Sequence, residues 1–304
     1  MGLVCEIVHN CGHNALTTNC HMQATHPFPL SQITVATHHG PLVVHVSTGT
    51  GSCVVCWPSL MGDHRSMLEF AAQLAPQHRV VLIDPPGSGA NRNFARQLLL
   101  SEQIDIAQNI LKALQAESCH WVGHGYGGLV GVGLANRDRH SVRSLTLSSV
   151  PFVQTARVSV FARPLSKMLY SFAFGRQHVA KLLAEQISAP KSYERKIVQD
   201  TIFAYINEGN IEIIKQLRPV SPLVLEQLRA KLPTLTLPAL LIAGQNDRAV
   251  LKRDQQTTTE IIPNARYQEV NSNFMTFLVR PRECAQIFKQ FIYDIESTSK
   301  PSPL

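Results

Sequence analysis

At 304 residues the chain has room for one large domain with an insertion or for two small domains. With 44% apolar and only 16% charged residues it has the balance of a packed globular protein, which excludes an intrinsically disordered chain. The formal net charge of +7 comes from Lys and Arg scattered along the sequence rather than gathered in a run or stripe, which argues against a nucleic-acid partner.

The first residues carry no secretory signal, and Glu6 stands where a myristoylation site needs Ser or Thr. His9, Cys11, His13, Cys20, His21 and His26 fit no paired metal-ligand spacing, so neither a metal nor another cofactor is expected. Residues 1–29 read as a disordered extension, with Met22 as an alternative start. Seven cysteines, an odd number, make no disulfide framework, and a cytoplasmic location is expected.

Ile33 to Ala36 and Pro41 to Val46 read as an opening hairpin around a His-His-Gly turn. The apolar run Cys53 to Cys56 follows, with its two thiols on opposite faces of a pleated strand and therefore as core residues rather than a redox pair. A helical pattern from Ser66 to Leu74 and a second apolar run, Val80 to Ile83, complete a βαβ unit. The alternation continues with a helix from Ser101 to Gln115, a strand His120 to Val122, a helix from Tyr126 to Asn136 and a strand Val142 to Ser148. Short strands apolar on both faces between amphipathic helices predict a mostly parallel sheet covered on each side.

After Pro151 the rhythm changes. Residues 152–236 hold helical patterns such as Val179 to Gln186 and Ser192 to Asn207 without a credible strand, which predicts a helical lid inserted in a core of residues 30–151 and 237–294. Leu237 to Ala243 and Tyr267 to Val270 resume the sheet, Arg282 to Tyr293 form the last helix, and 295–304 read as a disordered tail. The longest apolar runs fall far short of the roughly 20 residues that cross a bilayer, so no membrane span is expected.

The strand His120 to Val122 runs into Gly123-His124-Gly125-Tyr126-Gly127-Gly128 and then at once into a helix, the context of a nucleophile elbow. Here the sequence resembles the α/β-hydrolase family, whose usual elbow reads Gly-His-Ser-x-Gly-Gly. The resemblance covers roughly residues 30–294. Asp84-Pro-Pro-Gly87-Ser-Gly89 is similar to the family's Asp-x-x-Gly-x-Gly turn, Trp57-Pro58-Ser59 occupies the place of its oxyanion loop, and Gly244-Gln-Asn-Asp247 matches the turn that delivers its triad acid.

The departures from the family pattern bear on function. Gly125 stands at the nucleophile position without a side chain, and Asn273 stands where relatives carry the base histidine. Asp247 matches the acid, but no histidine follows it in the chain. Ser59, Ser88 and Ser272 are isolated hydroxyls without a base. His124 implies a structural role, as in relatives, whereas His64 on the loop after Ser59 is an alternative base or simply a loop histidine. An oxyanion hole would use the backbone N–H groups of Ser59 and Tyr126.

Two readings stay open. The first is a non-hydrolytic homologue that binds a small apolar or acyl-like ligand, with Trp57, Ser59 and Tyr126 at the site. The second is an atypical hydrolase or lyase using Asp247 and His64 without a covalent intermediate. Phe161, Leu165, Leu169, Phe172 and Phe174 in the expected lid suit an apolar ligand under both, and also suit plain packing of lid on core.

Overall fold

The fold was analysed in a computed structural model that describes residues 18–19, 27–60, 62–152, 172–188, 194–209, 220–247 and 249–298. Among these residues a nine-stranded sheet has the order β1-β2-β3-β5-β4-β6-β7-β8-β9. The strands are β1 (Thr18–Asn19), β2 (Leu30–Val35), β3 (Leu42–Ser47), β4 (Cys53–Trp57), β5 (Arg79–Ile83), β6 (Cys119–His124), β7 (Val142–Ser148), β8 (Ala239–Gly244) and β9 (Ala265–Val270).

β1, β2, β3 and β5 pair antiparallel at one end, with Leu30 opposite Ser47 and Val35 opposite Leu42 in the opening hairpin. From β5 through β4 to β9 the pairing is parallel. Every residue of β4, β6 and β8 is buried, as strands covered on both faces must be, whereas β9 at the edge alternates exposed with covered positions. Cys53 packs on one face of the sheet and Cys56 on the other, as the pleat requires.

One face carries α2 (Leu100–Ala113) and α3 (Tyr126–Arg137), and the other carries α1 (Leu68–Ala72) and the C-terminal helix (Pro281–Thr298). Glu102 caps α2 by accepting the Leu99 N–H at 2.7 Å. The last helix continues through Thr298, so Ile295 to Thr298 are helical rather than part of a tail, and residues 299–304 lie outside the described residues. Of the expected N-terminal extension, residues 1–29, Thr18–Asn19 pair with β2, while 1–17 and 20–26 lie outside the described residues.

Between β7 and β8 come α4 (Ala173–Ile187), α5 (Glu194–Glu208) and α6 (Pro222–Lys231). α4 and α5 bury Val179, Leu183, Val198, Ile202 and Ile206 in a small core of their own, closed by Met275. α6 behaves differently: Leu225, with Leu232 and Leu235 after it, belongs to the main core on the sheet. The segment expected as one lid therefore divides, its last helix packing as part of the body. No helix among the described residues is long and apolar enough to cross a membrane.

Candidate functional site

The residues singled out in the sequence follow the carboxyl ends of successive strands, where open α/β sheets collect their loops. Ser59 and His64 follow β4, Asp84 follows β5, Gly125 β6, Asp247 β8 and Asn273 β9, and Ser149, unmarked in the sequence, follows β7.

Gly125 joins β6 to α3 with φ 53° and ψ −116°, a left-handed conformation that strains any residue carrying a Cβ. Its N–H donates to the Ser148 carbonyl at 2.8 Å, which pins the turn to the neighbouring strand. Tyr126 opens α3, so its N–H belongs to the first turn, where a helix offers no internal acceptor. The backbone of the loop after β4 rests directly on this helix start: a Cβ on Gly127 would lie 2.1 Å from the Trp57 carbonyl oxygen and 2.8 Å from that of Pro58. A Cβ on Gly125 would lie 2.5 Å from Ser59 Oγ and 3.5 Å from Phe274 Cζ.

Two of the expected contact residues turn elsewhere. The Trp57 indole is fully buried in the main core and stacked on Trp121 at 5.6 Å, because it ends β4 on the face that packs under α3. The Tyr126 hydroxyl accepts from Gln103 Nε2 at 3.3 Å and borders a cavity of about 810 Å³ between the start of α2, α3 and α6. Leu98, Leu100, Ile104, Val224 and Leu228 give that cavity its apolar lining. Phe172 and Phe174 are exposed, and Phe161, Leu165 and Leu169 lie outside the described residues.

Asp247 is held in the turn after β8 by its own N–H to Gly244 O at 3.0 Å, and its Oδ2 accepts from the Gly244 N–H and from Ser149 Oγ, each at 3.3 Å. Among the described residues Oδ1 has no hydrogen-bond partner. Burial pushes the carboxyl up to about 7, and the Gly244 and Ser149 bonds offset only part of that rise. Ser149 itself adopts φ 51°, a strained value with no signal in the sequence, and also reaches the Phe274 carbonyl at 3.2 Å.

Asn273 is fully buried. Its Nδ2 donates to Ser188 Oγ, at the end of α4, over 3.5 Å, and its Oδ1 accepts the Met275 N–H at 3.2 Å. The amide thus ties the loop after β9 to the inserted helices. His124 supports the same loop by donating from Nε2 to the Phe274 carbonyl at 2.8 Å, with its ring 4.7 Å from that of Phe274. Burial lowers it to about 4, so it is neutral at physiological pH.

His64 lies against a second carboxylate, that of Asp84. Its Nδ1 donates to Asp84 Oδ1 at 2.7 Å and its backbone N–H reaches the same oxygen at 2.8 Å. His45, on β3, stacks on His64 at 3.9 Å and donates from Nε2 to Asp84 Oδ2 at 2.9 Å, where the Ala90 N–H also arrives. Burial acts to raise the Asp84 carboxyl, but the bonds from His45 and His64 outweigh it and hold it well below the usual carboxylate range. Among the described residues these three are the group that brings potential metal-ligand atoms within 4.8 Å of one another. Both oxygens of Asp84 are already occupied by N–H donors, so the cluster reads as a hydrogen-bonded brace for the loop after β4. Nothing in the local sequence signals that His45 joins it.

The parallel sheet, the glycine elbow after its central strand and the acid turn after β8 define an α/β-hydrolase fold, and residues 53–281 match the family model described as alpha/beta hydrolase fold. The chain belongs to that family. Among individual proteins it is similar to the putative carbamate hydrolase RutD of Azorhizobium caulinodans, with 26% identity over 207 residues, 65% of this chain and 74% of that one. It is also similar to 3-oxoadipate enol-lactonase 1 of Acinetobacter baylyi, with 24% identity over 239 residues, 78% of this chain and 87% of the other. A thermophilic esterase from Thermogutta terrifontis superposes with a TM-score of 0.72 at 16% identity, covering 88% of this chain and 98% of the esterase.

Proposed function

We propose that the protein holds a small apolar or acyl-like molecule over the elbow and does not cleave it through a covalent serine intermediate. The observation that carries this reading is Gly125: the backbone makes a nucleophile-bearing turn at a residue that has no atom to attack with. The base position supports it, because the Asn273 amide takes no proton near neutrality and is engaged by Ser188 and the Met275 N–H. Losing nucleophile and base together removes most of the acceleration such a unit provides, leaving at most about 10³ to 10⁴ over water from an oxyanion hole and binding.

Native mass spectrometry of the protein from its own source tests the binding half, and a stoichiometric small molecule is the expected result. Sustained turnover of p-nitrophenyl acetate, with a serine acylated during the reaction, would sink the proposal.

A second reading has its own support. With its carboxyl at about 7, Asp247 is half protonated near neutrality and suits a general acid or base that directs water at a carbonyl. The similar proteins named a carbamate hydrolase and an enol-lactonase point the same way. On this reading turnover of a simple carbamate or enol-lactone follows a titration near pH 7 and is lost in Asp247→Asn without any acylated serine. His64 stands apart from it, since its partner is Asp84.

A further inference from the structure

The absent side chain at position 125 is matched by a side chain that reaches into its place. A Cβ on Gly125 would lie 2.5 Å from Ser59 Oγ, closer than real Cβ atoms come, so that the hydroxyl would have to turn away, and 3.0 Å from Ser59 Cβ, tight enough that the loop would have to give by a few tenths of an ångström. A serine at 125 would carry its own hydroxyl into the same small volume. Ser59 does not reach it by chance of a mobile loop. The backbone of Trp57 and Pro58 lies on Gly127 closer than any Cβ would permit, and the Ser59 carbonyl closes the turn by accepting the Gly62 N–H at 3.0 Å. Two glycines of the elbow therefore admit two parts of one loop, Gly127 its backbone and Gly125 its hydroxyl.

We propose that Ser59 supplies the hydroxyl that a ligand meets over the elbow and that a side chain at 125 and this placement of the Ser59 hydroxyl exclude one another, so that a ligand meets Oγ of Ser59 where relatives present their nucleophile. This rests on the reading of Gly125 given above and adds to it the group that touches the ligand. Among the described residues the base position gives this hydroxyl no imidazole, because Asn273 stands there with its amide turned to Ser188. It stays protonated and donates a hydrogen bond rather than attacking. The ligand class that fits is a compound with a poorly electrophilic carbonyl, an amide, a carbamate or a carboxylate, whose oxygen accepts that bond.

A mutant cycle on thermal stability tests the exclusivity. Gly125→Ala suffers both the positive φ and the contact with Ser59, whereas in a Ser59→Gly background only the φ strain is left. Gly125→Ala should therefore lower Tm by at least about 3 °C more when Ser59 is present than when it is absent, given the few degrees per kcal/mol expected for a domain of this size. If Gly125→Ala alone fails to fold, its recovery by Ser59→Gly supports the proposal and failure to recover overturns it. Equal Tm losses in the two backgrounds also overturn it.

The ligand contact is read by calorimetric titration with acetanilide, an unreactive amide. Ser59→Ala should weaken its binding about tenfold, the effect of one lost hydrogen bond. Unchanged affinity, or no binding by the unaltered protein, removes the ligand-contact claim. An acylated Ser59 would instead sink the non-covalent reading itself, so the two failures are distinguishable.

Discussion

Asp84 and Asp247 are both buried carboxylates at the carboxyl ends of strands in one sheet, yet they sit on opposite sides of their ordinary ionisation. Asp84 receives two imidazole N–H groups and two backbone N–H groups and stays anionic. Asp247 keeps one long backbone bond and a share of the Ser149 hydroxyl, and burial drives it to about 7. Burial alone does not decide the charge of a carboxylate. The donors aimed at it do, and among the described residues no imidazole donates to Asp247.

If this comparison holds, Asp84→Asn has the largest consequence, because an amide would turn N–H donors toward N–H donors in a closed pocket. A loss of about 3 kcal/mol or more in urea unfolding is expected, in line with removing one member of a buried charged network. A loss under about 1 kcal/mol would show that the cluster braces nothing.

Asp247→Asn should act in the opposite direction, with a pH dependence whose sign is fixed. A carboxyl raised from its ordinary 3.8 to about 7 binds more protons folded than unfolded between those values, so its contribution to stability falls as pH rises through that window. The variant should be more stable than the unaltered protein at pH 8, on the order of a few kcal/mol, with the difference vanishing below about pH 4. His124, lowered from 6.5 to about 4, works the other way: its stability is present at neutral pH and lost as pH falls through that range. The two oppose each other in the unaltered protein, which is why the difference between the two proteins is the quantity to measure. A difference that does not change with pH would contradict the raised carboxyl.

The smallest effect belongs to Ser149→Ala, which removes one of the donors to Asp247. The Asp247 titration, followed by carbon NMR of its carboxyl, should move upward by less than about one unit, the scale of a single long hydrogen bond. A downward move would mean that Ser149 does not donate to it.

Much of this arrangement is legible in the chain because it depends on local pattern. The alternation of apolar runs and amphipathic helices yields the parallel sheet, pleat periodicity separates Cys53 from Cys56, and the glycines around position 125 mark a turn pressed between strand and helix. What is not legible depends on contacts between distant residues. His64 lies on the expected loop, but its pairing with Asp84 and its stacking on His45 arise only when β3, β4 and β5 align. Trp57 reads as a site residue from its place in the loop, yet the face on which β4 ends sends its ring into the core. The helical segment after β7 shows its period in sequence but not that α6 packs on the main core, a difference of partner rather than of local structure. The reach of the Ser59 hydroxyl into the space beside Gly125 is a matter of side-chain placement that no spacing encodes.

The central claim, that the elbow no longer supports covalent catalysis, is tested most directly by incubating the unaltered protein with a fluorophosphonate probe and reading its intact mass. The account predicts no adduct, because the elbow residue has no side chain and the residue at the base position, Asn273, carries an amide instead of an imidazole. A stoichiometric adduct mapped to Ser59 or to any other serine would contradict it.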